Sequence, residues 1–314
     1  MARPLRIEFK GAFYHITARG NERKDIFRDN ADREKLLCYF ESAVERYQAV
    51  IHAFCLMDNH YHLLIETPAG NLSQTMRHIN GAFTAYFNRR HQRAGHLFQG
   101  RYKAILVEAD EYAGALSRYI HLNPVRAGLV DRPEKYPWSS YRYYAGAQKA
   151  PWWCTIEWLL QYFGKGGADA QRAYRGFVKS ETDAAVNDPL KETVAAVILG
   201  SAEFIGKVKE LYLSGRKGGR DIPALKALTR RSIEEIINVA DQEFGAETEL
   251  SRKAALYLSH RHSGLSLREI GRYFGIGESA VSQASRRFGF VLEKDVRLQK
   301  KLKQMKRTLQ WSNV

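Results

Sequence analysis

His60-Tyr61-His62 opens the short apolar run that continues through Leu63, Leu64 and Ile65, directly after the turn pair Asp58-Asn59. A run of this kind reads as a β-strand, on which successive side chains alternate between faces. His60 and His62 then point one way and Tyr61 the other. Two imidazoles about 6–7 Å apart on one strand face can grip a divalent metal from one side. The opposite face stays free to pack in a core. The chain is thereby constrained to a sheet with one structural face and one face able to hold a metal against an oxyanion. Taken alone, the same triplet also fits two satisfied histidines beside a loop.

A second segment lies about 50 residues downstream, from Tyr112 to Pro124. Its pattern predicts a helix, and Tyr119 and Asn123, four residues apart, share one face of it. A tyrosine hydroxyl can act as a covalent nucleophile when a metal polarises the group it attacks. The Asn123 amide oxygen, one turn on, can complete that metal's coordination. His121 is a nearby alternative ligand but points to a different helix face. Tyr112, two turns before Tyr119, is a second candidate hydroxyl. Pro124 predicts the helix end, because its ring disfavours helical geometry in the preceding residue. On its own this helix also reads as structural, with Tyr119 a half-buried aromatic.

The order of elements predicts an α+β first domain. Strands are expected at about 12–19, 50–57, 60–66 and 102–109. Helices are expected at about 30–48, with Asn30 as N-cap, and from Asn71 to about 91. This βαββαβ order is the ferredoxin-like layout, with helices on one sheet face and the opposite face or its end open. The strand bearing His60 and His62 is expected at the sheet edge. Three regions are expected overall: residues 1–150, a helical connector at 151–215 with no assigned chemistry, and 216–314. Gly215 to Arg220 reads as a basic hinge without a phosphate-loop pattern.

Several ordered motifs resemble the single-tyrosine HUH nucleases, the insertion-sequence tyrosine transposases and the REP-associated tyrosine transposases. They are Phe13 to Gly20, Met57 to His62, Gly100 to Glu108, Tyr119 to Val130, and Trp138-Ser139-Ser140-Tyr141. The resemblance covers roughly residues 5–145. It implies cleavage and rejoining of single-stranded, hairpin-associated DNA through a 5′-phosphotyrosine intermediate. Tyr119 would be the nucleophile, and His60, His62 and Asn123 would hold Mg²⁺ or Mn²⁺. Many relatives carry Gln where this chain has the shorter Asn123. Within these motifs Arg19, Arg101, Lys103 and Arg126 are expected to contact DNA. Some relatives are dimers with composite active sites, so a homodimer is compatible with the resemblance.

Charge agrees with a polyanionic partner. The net charge is +15, with 22 Lys+Arg against 15 Asp+Glu in residues 1–150 and 20 against 11 in residues 216–314. The three cysteines, Cys38, Cys55 and Cys154, form neither a zinc pattern nor a disulfide framework. That usage suits a reducing cytoplasm. No signal-peptide pattern opens the chain, and no apolar run approaches the ~20 residues of a membrane span. The expected location is therefore cytoplasmic, at the nucleoid. Interleaved aromatics and cations at Tyr86 to His91 and Trp138 to Tyr144 suit base stacking, although core packing accounts for most of them.

The last basic block predicts a helix-turn-helix. A basic amphipathic helix at Leu250 to His262 precedes a helix that Ser266 caps, with Glu269 completing a capping box. Gly275-Ile276-Gly277 is the turn. Glu278 to Phe288 is the recognition helix, with Ser279, Ser282, Gln283, Arg286 and Arg287 expected to meet duplex DNA. Leu267 to Gly275 and Val281 resemble the DNA-binding domain of the replication initiator DnaA. That initiator's base-reading stretch is replaced here by Gly277 to Ala280, so duplex binding is implied and its target sequence is not. Two other functions remain open on the sequence: a rolling-circle-type replication initiator and a catalytically silent DNA-binding regulator.

Overall fold

A computed structural model describes residues 6–164, 166–180, 188–194, 196–213, 231–263 and 265–309. The chain divides between Arg216 and Lys217 into two compact units. The expected hinge at Gly215 to Arg220 lies outside the described residues.

The first unit is α+β and ferredoxin-like. It runs β1 (Ala12–Arg19), α1 (Asn30–Tyr47), β2 (Val50–Leu56), β3 (His60–Thr67), α2 (Leu72–Arg90), β4 (Lys103–Val107) and α3 (Ala109–Arg126). The sheet order is β2-β3-β1-β4, extended by a short β5 (Ile198–Leu199). Neighbours among β1–β4 are antiparallel, whereas β5 joins β4 in parallel. β3 is therefore an interior strand, flanked by β2 and β1, and not the edge strand expected from sequence. Its near-continuous burial fits that position.

Alternation divides the sheet. Tyr14, Ile16 and Ala18 of β1 and Tyr61, Leu63 and Ile65 of β3 are buried with Phe40 of α1 and Phe83 of α2. The Tyr61 ring meets Phe40 edge-on, and its hydroxyl donates to Asn80 Oδ1 of α2 at 2.6 Å. The other face is not left open, because α3 packs against β2 and β3. Helix α1 starts at residue 30, as expected, but its cap is the preceding residue. Asp29, not Asn30, is the cap, and its carboxylate accepts from the Asp32 amide at 3.1 Å. Pro124 does not end α3, which continues to Arg126.

The segment expected as an independent helical connector packs within the first unit. α4 (Gly167–Lys179) buries Ala170, Tyr174 and Val178, spaced by four, along one face. The Tyr174 hydroxyl lies 2.7 Å from His121 Nδ1. β5 and α5 (Ala202–Leu213) follow, and the Ser201 amide donates to Glu108 at 2.6 Å. The segment thus contributes a strand as well as helices. Cys38, Cys55 and Cys154 are free. No helix among the described residues is long and apolar enough to cross a membrane.

The second unit contains α6 (Ile233–Phe244), α7 (Glu249–Leu258), α8 (Leu267–Phe274), α9 (Glu278–Lys294) and α10 (Val296–Thr308). The capping box of Ser266 and Glu269 is formed as expected. Gly275 ends α8 in the left-handed region with φ 68°. Ile236, Ala255, Ile270, Val281 and Leu302 share its core. α6 and α10 were not expected from sequence, and α9 extends six residues beyond Phe288 to Lys294.

His121 is fully buried, and burial lowers its pKa from 6.5 to about 3. Below about pH 6.5 the unfolded chain takes up a proton there that the native protein does not. This site's contribution to stability is therefore intact above 6.5 and declines as pH falls toward 3. In urea unfolding, the stability advantage of wild type over His121→Gln should shrink between pH 7 and pH 4. An advantage independent of pH would contradict this account.

Candidate active site

The β1–β3 register builds the site. Thr17 pairs with His62 and Arg19 with His60, so His15, Thr17, Arg19, His60 and His62 share one face. α3 crosses that face. The Tyr119 ring stands edge-on to His62 at 5.8 Å and to His15 at 6.0 Å between centroids. The Arg126 guanidinium lies 4.8 Å from the Tyr119 ring centre. The two His60 and His62 rings are 5.0 Å apart. Tyr119, His60, His62, Arg19 and Arg126 are thus gathered on this face, and Asn123 lies one helical turn after Tyr119.

The nitrogens of the histidines have distinct surroundings. His60 Nδ1 is 2.6 Å from Asn59 Oδ1, while Asn59 Nδ2 donates to the Arg23 carbonyl at 3.1 Å. That carbonyl can only accept, which orients the amide so that Oδ1 faces His60. His60 Nδ1 must then carry the proton, leaving its Nε2 with a lone pair. His62 Nδ1 is 2.9 Å from His15 Nε2, and the buried His62 Nε2 has no hydrogen-bond partner. Burial lowers the His60 pKa to about 4, aided by the Arg19 charge and opposed by Asp58. Burial, with His15, His60, Arg19 and Arg126 nearby, holds His62 well below 6.5. Neutral imidazole is the form that ligates metal.

These atoms fit a divalent cation. A buried, partnerless Nε2 beside a second Nε2 whose lone pair is fixed makes a two-nitrogen grip. Among the described residues, no group of three His, Cys, Asp or Glu side chains is arranged for a metal. The sequence also offers Asn123 Oδ1 as a donor of another type. Asn123 Nδ2 donates to the Tyr119 carbonyl at 2.8 Å and approaches the Ile120 carbonyl at 3.5 Å. The second carbonyl is the one that Pro124, lacking an N–H, cannot satisfy. His121 is excluded as a ligand here: Tyr174 and Ser140 occupy its two nitrogens at 2.7 and 2.8 Å.

The remaining sequence candidates are dispersed. Burial, and then Glu192 beside it, raises the Tyr112 pKa. Burial and Asp188 raise the Tyr119 pKa, whereas Arg126 and Arg19 oppose that shift. Lys103 is exposed opposite Thr17 and its charge reaches His15. Arg101 is exposed before β4, and its charge is felt at Arg6 and Tyr102. In the second unit Ser279, Gln283, Arg286 and Arg287 are exposed along α9, with Ser282 half-buried. His15, Thr17 and Asn59 were not singled out from sequence. His15 was visible only as one polar residue in a strand, and its meaning depends on a partner 47 residues away.

Residues 8–123 match the family described as Transposase IS200 like. The resemblance to insertion-sequence tyrosine transposases therefore holds over this part of the chain. A Haemophilus influenzae protein, provisionally described as a REP-associated tyrosine transposase, is 25% identical over 143 residues. The match covers 42% of this chain and 81% of that protein. A solved structure described as a REP-associated tyrosine transposase bound to a REP hairpin is 19% identical, with a TM-score of 0.41. It covers 48% of this chain and 89% of that one.

The Asn123 and Pro124 pairing makes a specific expectation. Asn123→Ala should destabilise the protein by about 1 kcal/mol through lost hydrogen bonds to helix carbonyls. In a Pro124→Ala background the loss should be smaller, because a restored N–H can reach the Ile120 carbonyl. Equal losses in both backgrounds, measured by urea unfolding, would show that the two residues are uncoupled.

Proposed function

We propose that this protein is a metal-dependent DNA strand transferase that cleaves and rejoins single-stranded, hairpin-associated DNA through Tyr119. The observation that carries this reading is the meeting of Tyr119 with His62 across the interface of α3 and β3. The match of residues 8–123 to transposases supports the same chemistry. The Haemophilus influenzae relative, described as a REP-associated tyrosine transposase, favours DNA as the substrate.

His60 Nε2, His62 Nε2 and Asn123 Oδ1 would hold Mn²⁺ or Mg²⁺. Such an ion, when bound, supplies Lewis-acid polarisation of the scissile phosphate. Arg19 and Arg126 attract that phosphate and favour the ionised phenol. Tyr119 Oη attacks phosphorus in line and forms a phosphotyrosine bond. The bond from phosphorus to the 3′ oxygen breaks, and the phenol proton is balanced by formation of the 3′-hydroxyl. A 3′-hydroxyl from another strand reverses the step, so rejoining needs no nucleotide energy source.

The second unit is proposed to bind duplex DNA through α9. Ser279, Ser282, Gln283 and Arg286 follow one another at helical spacing along one side, beside Arg287. DNA binding by both units would place the protein at the nucleoid.

Two measurements test these assignments. On a denaturing gel with single-stranded hairpin DNA and Mn²⁺, the wild type and Tyr112→Phe should form a covalent adduct, and Tyr119→Phe should not. His60→Ala, His62→Ala or EDTA should slow adduct formation by at least ~100-fold, since metal polarisation is worth several kcal/mol. An adduct that persists in Tyr119→Phe, or full activity in EDTA, would defeat the mechanism. For the second unit, Arg286→Ala and Arg287→Ala should each weaken duplex binding and flatten its log–log salt slope by about 0.9. An unchanged slope would remove α9 from the interface.

A further inference from the structure

We propose that His15 is a positioning residue that fixes the tautomer of His62. Its Nε2 accepts the Nδ1 proton of His62, so that His62 Nε2 keeps its lone pair free for a metal. This inference rests on the metal-dependent reading above.

The two rings are buried and parallel, with an interplanar angle of 2° and Nε2 of His15 2.9 Å from Nδ1 of His62. One shared proton must lie on that contact when both rings are neutral, and only two arrangements exist. Each arrangement leaves one buried N–H without an acceptor, on His62 Nε2 if His15 donates and on His15 Nδ1 if His62 donates, but only the first blocks His62 Nε2 from a metal. If His62 donates, its partnerless Nε2 is a ligand. Thr17 Oγ1, the other polar atom near His62 Nδ1, is more distant at 3.4 Å.

Two further observations favour donation by His62. The adjacent His60 uses the same device, with its Nδ1 proton accepted by an oriented Asn59. Both candidate ligands would then have the nitrogen remote from the metal backed by an acceptor, as metal-binding histidines usually do. The second observation is what His15 gives up. It is 1% exposed between Tyr14 and Ile16, and its Nδ1 has no partner. An apolar side chain would fill that position without burying an unsatisfied nitrogen. A contact to the candidate ligand explains why an imidazole stands there.

The test uses the full chain, metal-free and labelled with ¹⁵N-histidine. Long-range ¹H–¹⁵N spectra distinguish the tautomers, and His15→Gln and His62→Ala variants assign the two rings among the ten histidines. His62 should carry its proton on Nδ1. In His15→Leu the proton should move toward Nε2, and Mn²⁺ affinity should fall about 10–100-fold. His15→Gln, whose amide oxygen can accept from His62, should recover most of that loss. A wild-type His62 protonated on Nε2 would overturn the inference without recourse to any variant. So would unchanged Mn²⁺ affinity in folded His15→Leu. Mn²⁺ affinity that is also unchanged in His62→Ala would overturn the metal reading itself, and this inference with it.

Discussion

The pairing register between β1 and β3 is the constraint on which the rest depends. Thr17 opposite His62 and Arg19 opposite His60 place the imidazoles, a hydroxyl and a guanidinium on one face. A slip of one residue would turn both histidines into the apolar layer beneath α1 and α2, and turn Tyr61 out of it. Burial of Tyr14, Ile16, Tyr61, Leu63 and Ile65 opposes that slip. The strand ends reinforce it, because the Gly20 amide donates to the Asn59 carbonyl at 2.8 Å. A side chain at Gly20 could not be accommodated there: a Cβ would stand 2.0 Å from the Lys24 carbonyl oxygen.

The rotation of α3 is set from its far side. His121 is held between Tyr174 and Ser140, and Arg118 packs over the Phe177 ring at 4.0 Å. Ser140 also receives the Phe54 amide, tying this clamp to β2. Tyr119, two residues before His121, is thereby turned toward the histidines of the sheet. Residues after 150 therefore help to aim Tyr119, although none of them is proposed to contact substrate. Trp138 to Tyr141 belongs to the same framework, since the Leu56 amide donates to the Trp138 carbonyl and Tyr141 is buried.

What was legible in the sequence was local. The alternation of His60, Tyr61 and His62 needs only one strand, and the box of Ser266 and Glu269 only one helix turn. Tyr119 and Asn123 on one face likewise follow from helical spacing. What was hidden required long-range partners. His15 acquires its proposed role from His62 on another strand, and Tyr174 from His121 on another helix. The Pro124 expectation failed for a comparable reason. The missing N–H removes a bond to Ile120, but the Asn123 side chain approaches that carbonyl and α3 continues to Arg126. The described residues between 151 and 213 concealed their role because apolar positions such as Tyr174 and Ile198 complete a surface made by earlier elements.

Electrostatics links the two tasks proposed for the site. The cations at Arg19 and Arg126 disfavour an added proton on His62, while burial does the same more strongly. Those cations also offset part of the burial that raises the Tyr119 pKa. A protonated imidazole could not ligate a metal, and a fully desolvated phenol could not readily become a nucleophile. One pair of guanidiniums thus favours the state that the proposed chemistry asks of both groups. The same charges are complementary to a phosphodiester, so bringing the substrate in requires no reversal of the field that prepares Tyr119 and His62.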